Sequence, residues 1–144
     1  MTHADKGKYN QKHPDQTEVA DDLRQKISKK TANNSISCAR AEEISLSDGR
    51  TLKEVGVAID VLNVNIIECQ LGLFGYTPQK KAVQKASEVA SSLKDEIGKS
   101  LVNGSLPCAA AWEIARRLDL PRMRVSAACE ELRIKIKPCQ LGAF

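Results

Sequence analysis

The chain has 144 residues, 42% of them apolar but only 3% aromatic, and carries a formal net charge of +4. No apolar run approaches the roughly 20 residues of a membrane-spanning helix, and the N-terminus lacks the apolar stretch of a signal peptide, so a cytoplasmic protein with an aliphatic core is expected. A charge this small does not by itself imply a nucleic-acid partner, and its distribution along the chain is the more informative quantity.

A shift of 70 residues superimposes the sequence on itself without a gap, with 21 identities over the 56 pairs from Val19–Phe74 to Val89–Phe144. Val19, Ala20, Leu23 and Ile27 fall on Val89, Ala90, Leu93 and Ile97, and Cys38-Ala39 falls on Cys108-Ala109. Cys69-Gln70-Leu71-Gly72 with Phe74 falls on Cys139-Gln140-Leu141-Gly142 with Phe144. This is a duplication, so one small fold is built twice. Each unit alone is small enough to be marginal and is expected to pack on its twin or on a second subunit.

Residues 1–14 are polar and aperiodic and read as a mobile tail, in which His3 and His13 are solvated. Repeat one occupies 15–76, with Asp15 and Glu18 as a capping pair for its first helix. Its third helix, Thr51–Leu62, is apolar nearly all round. Val57, Ile59 and Val61 therefore mark an interface, with repeat two or through a homodimer. Residues 77–80 are a linker.

Repeat two, 81–144, is the clearer copy. Ala82, Ala86, Val89, Leu93, Ile97 and Leu101 step at helical spacing and predict a helix over Lys81–Val102, stopped by Asn103-Gly104. Ser105-Leu106-Pro107 is short and extended. Ala111, Ile114, Ala115 and Leu118 predict a second helix over Ala109–Leu118. Asp119-Leu120-Pro121 is a tight turn, and a third helix follows to Leu132 with Val125, Ala128 and Leu132 inward. In Arg133–Lys137 the period falls to two, as in a half-exposed strand.

The Ala-rich helix Ala109–Ala115, the turn Asp119–Pro121, the helix Arg122–Leu132 and the following strand together resemble the winged helix-turn-helix family. The resemblance covers about Ala82–Phe144 and, through the duplication, Val19–Tyr76. It implies a mainly α fold: a tandem repeat of two winged-helix-like three-helix units, each with a short β-strand pair. Leu73-Phe74-Gly75-Tyr76 gives repeat one the length for a wing hairpin. In that family the third helix enters the DNA major groove. This implies DNA contact by Arg122, Arg124, Ser126, Arg133, Lys135 and Lys137, with Arg116 and Arg117 nearby and Asp119, Glu130 and Glu131 opposing it. The matched positions Leu52, Glu54 and Gly56 of repeat one are unsuited to DNA. The expected function is a small DNA-binding transcriptional regulator; the alternative is a protein-interaction or assembly module without DNA binding.

Cys38 and Cys69 are 31 residues apart, as are Cys108 and Cys139. One of each pair follows the first strand and the other ends the last, so each pair can meet side by side. Buried reduced thiols, a redox-switchable disulfide and a metal site all fit that spacing. Two thiolates per unit are too few to close a zinc site, and no Cys-x-x-Cys occurs; no metal is expected. Cys129 replaces Ile59 and reads as core. Gln70 and Gln140 belong to a repeated turn whose Leu and Phe cap the core, with ligand binding as the second reading. No His outside the tail, phosphate loop or acid pair suggests catalysis, and no cofactor is expected.

Overall fold

A computed structural model describes residues 18–144; the tail and the Asp15 cap lie outside them. The described chain is mainly helical with one small parallel sheet. It divides into two compact units. The first takes its described residues from 18–69 and from Gln140–Phe144; the second is Gln70–Cys139.

In the first unit, α1 (Asp21–Lys30) has Asp21 and Asp22 in its first turn and Lys29 and Lys30 in its last, the arrangement that complements the helix dipole. It buries Leu23 and Ile27, one helical turn apart. A two-residue turn at Asn33-Asn34, both with positive φ, leads into β1 (Ser35–Ser37). Asn tolerates that conformation better than other side-chain-bearing residues. The Ser37 hydroxyl then accepts from Arg40 N at 3.2 Å and caps α2 (Cys38–Asp48). Thr51 caps α3 (Leu52–Val61) in the same way, accepting from Glu54 N at 3.0 Å.

The chain returns as β2 (Asn65–Ile67), which pairs with β1 in parallel, Ile36 opposite Ile66. Both central isoleucines are buried, so the strand pair closes the core formed by Ile27, Ile44, Val55 and Ile59.

The second unit repeats this order. Its helices α4 (Ser91–Ser100), α5 (Cys108–Leu118) and α6 (Arg122–Leu132) begin 70 residues after α1, α2 and α3. The strand pair is reduced to a single parallel bridge, Leu106 with Ile136. Cys108 N bonds to Pro138 O at 3.1 Å, one residue beyond the regular register.

Three expectations are corrected. The helix predicted over Lys81–Val102 is confined to Ser91–Ser100. Upstream of it, Ala82 N and Val83 N donate to Gly72 O, and Ala86 N donates to Ala127 O. Those N–H groups are therefore spent on distant acceptors, and a helix would need them locally. Asn103-Gly104 is not a helix stop but a two-residue turn closed by reciprocal bonds between Val102 and Ser105; positive φ at both positions suits Asn-Gly. The predicted strand Arg133–Lys137 starts late, because Arg133 is the left-handed cap of α6.

No wing hairpin forms at Leu73–Tyr76: Leu73 and Phe74 are bends, and Gly75 and Tyr76 are irregular backbone. α1 likewise begins at Asp21, after Ala20 and without a side-chain cap.

Candidate nucleic-acid interface

α6 carries three of the six residues singled out for DNA contact and the segment after it the other three, and their surroundings sort them. Arg122, in the first turn, is held from two sides. Its guanidinium lies 3.7 Å above the Trp112 ring of α5, and its Nη1 donates to Gln70 Oε1 at 2.9 Å. Such a stacked, bonded guanidinium has its charge already engaged.

Ser126 is fully buried and its hydroxyl has no hydrogen-bond partner, which corrects its expected outward placement. The reason is that α6 is covered on a second side. Besides Val125 and Ala128 it buries Ser126 and Cys129, while residues 70–86 run along it. The Ala86 bond to Ala127 O is 3.1 Å, and a Cβ added at Gly72 would lie 3.0 Å from Met123 Sδ.

The same segment neutralises the acids of α6: Lys81 pairs with Glu130, and Lys85 approaches Glu131 at 3.9 Å. On α5, Arg116 pairs with Glu113, which holds the Glu113 carboxyl below its ordinary value. Arg117 pairs with Glu96 at 2.7 Å. Four cations of α6 and the segment that follows it remain. Arg124, Arg133, Lys135 and Lys137 are exposed and have no carboxylate partner among the described residues. Around the Leu106–Ile136 bridge, Ile136 is buried and its neighbours Lys135 and Lys137 are exposed, as the period of two predicts.

In the first unit the matched positions carry Glu54, Asn63, Asn65 and Ile67. Among the residues marked for an interface, Ile59 is fully buried within the unit and so is corrected to core; it aligns with Cys129, also buried. Val57 and Val61 are half-buried. The second side of this apolar helix is covered at Gly56 by Leu141 of residues 140–144.

None of the five cysteines is in a disulfide. Cys38, Cys69 and Cys108 are buried and Cys139 is half-buried. Burial, helped by the Glu130 charge, pushes the Cys129 thiol up to about 12, so it stays protonated and inert. Among the described residues no group of three or more His, Cys, Asp or Glu side chains is placed to hold a metal ion.

Sequence reasoning missed the Arg122–Trp112–Gln70 cluster and the covering of α6. Gln70 had one signal, its recurrence as Gln140; nothing in the spacing pairs Trp112 with Arg122. Comparison with protein-family models, curated proteins and solved structures finds no match to the chain.

Proposed function

We propose that this chain is a small DNA-binding regulatory protein made of two winged-helix-like units, and that the second unit grips the phosphate backbone. The observation that carries this reading is the run of four exposed cations on α6 and the segment after it, Arg124, Arg133, Lys135 and Lys137, which have no carboxylate partner among the described residues, whereas Lys81, Lys85, Arg116, Arg117 and Arg122 are committed to carboxylates or to Trp112. Unpaired exposed Arg and Lys release counterions on meeting phosphates and supply sequence-independent affinity.

Because residues 70–86 lie along α6, contact is made by the exposed edge of the unit rather than by inserting the helix face that holds Ser126. The equal spacing of the two sets of helices supports the tandem winged-helix-like architecture.

Fluorescence anisotropy with a generic duplex at low salt tests the proposal. The wild-type chain should bind, and the Lys135→Gln/Lys137→Gln variant should bind at least tenfold more weakly. A second reading, an assembly module without a DNA role, is favoured by the covered face of α6. It predicts no retention on the duplex at any salt concentration.

A further inference from the structure

The repeated Cys-Gln-Leu-Gly-x-Phe element plays no part in the proposed DNA contact, yet both of its leucines, Leu71 and Leu141, are buried. Each copy of the element is seated on the third helix of the other copy's fold. Gln70 and Gly72 lie against Arg122 and Met123 of α6, and Leu141 lies against Gly56 of α3.

The fit on α3 is the closer. A Cβ added at Gly56 would overlap the Leu141 carbonyl, lying 2.7 Å from its carbon and 2.9 Å from Leu141 Cα. Gly within a helix is disfavoured relative to Ala, and here it opens a notch for an incoming backbone. The matched position on α6 holds Ser126, so the notch is particular to α3.

We propose that the α3 face around Gly56 is a docking site for the Gln-Leu-Gly-x-Phe segment, which a second copy of this chain fills by exchanging its own residues 140–144. In each unit the seat already takes a segment that comes from the other repeat. The site therefore reads the segment through backbone fit and a buried leucine rather than through the residues that precede it. The contacts made within one chain and between two chains are the same. What favours the former is effective concentration, of the order of millimolar for a short connection. Disabling the seat in one chain and the segment in another removes that advantage.

The test mixes two full-length variants. Gly56→Leu keeps its segment and blocks its seat; Leu141→Asp keeps its seat and spoils its segment. Analytical ultracentrifugation should show a 1:1 complex only in the mixture, and the complex should vanish when the Gly56→Leu chain also carries Leu141→Asp. Folded variants that sediment in the mixture as they do separately would overturn the proposal.

If either variant loses its helical circular dichroism, the wild-type chain answers alone. It is mixed at millimolar concentration with a photoreactive peptide of residues 139–144 carrying Cys139→Ser. Crosslinks should map to Leu52–Val61 and fall at least tenfold with an Asp-for-Leu peptide. Crosslinks mapping elsewhere, absent crosslinks, or equal yields from both peptides would refute the docking site.

Discussion

Arg122 sits between the Trp112 ring and Gln70, and that placement makes it a structural cation. A stacked guanidinium contributes about 0.5–1 kcal/mol, more when desolvated, and a hydrogen bond to a charged group about 1.5–3 kcal/mol. Arg122→Ala should therefore lower the urea midpoint of the second unit by the equivalent of about 2–4 kcal/mol. Its affinity for DNA at low salt should change less than twofold. A large loss of affinity with unchanged stability would show that Arg122 reaches DNA after all.

Asp48 gives a pH dependence. The Lys26 ammonium first, and then Arg50, hold its carboxyl below the ordinary 3.8. A carboxyl whose folded value is lowered binds fewer protons in the folded state. Its stabilising contribution is complete above the unfolded value and is lost as pH falls through the folded one. Asp48→Asn should thus be less stable than wild type at neutral pH, and the gap should narrow below about pH 4. Urea titrations at both pH values check the sign. A gap that widens in acid would contradict the pairing.

The thiols are the third residue-scale case. β1 and β2 are parallel neighbours, with Cys38 directly after one and Cys69 shortly after the other. The Cys108 N–H bond to Pro138 O brings Cys108 beside the segment that leads into Cys139. Exchange with oxidised glutathione should form 38–69 and 108–139 bridges, releasing reduced glutathione, and leave Cys129 unmodified. Peptide mapping by mass spectrometry reads the outcome. Failure to find either bridge would leave the cysteines as packing residues.

At the scale of elements, α3 and α6 show how the same framework takes different fillings. Gly56 and Ser126 occupy matched positions, and both are buried. Gly56→Ala forces a methyl into the Leu141 backbone and should cost about 1–3 kcal/mol, as overpacking does. Ser126→Ala removes a buried hydroxyl that has no partner and should be neutral or stabilising. Thermal denaturation of the two variants should move in opposite directions or at least differ in this order; equal losses would refute the contrast.

The helices α3, α5 and α6 were legible within a residue or so at each end, because their apolar residues recur at helical spacing and Thr51 and Pro121 mark starts. α4 was not, since Ala82, Ala86 and Val89 also recur at that spacing. Periodicity records which residues are apolar, not where their N–H groups go, and Gly72 and Ala127 took them. Alternation around Ile136 pointed to the segment that bridges Leu106, but nothing in so short a stretch specifies a parallel partner about thirty residues away.

For the whole molecule, the duplication was legible without coordinates and correctly implied two similar sets of three helices. The division into units was not, because it crosses the repeat boundary. Gln70 begins the second unit and Gln140 returns to the first, a choice made by burying Leu71 and Leu141 rather than by any local turn signal. Drawn along that boundary, the charge is unevenly shared. The second unit holds twelve basic and seven acidic residues, +5, against seven and nine, −2, in the described part of the first. No described helix is long and apolar enough to cross a membrane.

The measurement that tests the central claim most directly is the salt dependence of binding to a generic duplex. Four neutralised phosphates at about −0.9 each give a slope of log affinity against log salt near −4. Removing Lys135 and Lys137 should bring the slope near −2, while Lys53→Gln on α3 should leave it unchanged. Binding that is absent at low salt, or slopes that fall equally for the Lys53 and Lys135/Lys137 variants, would contradict the assignment of DNA contact to the second unit.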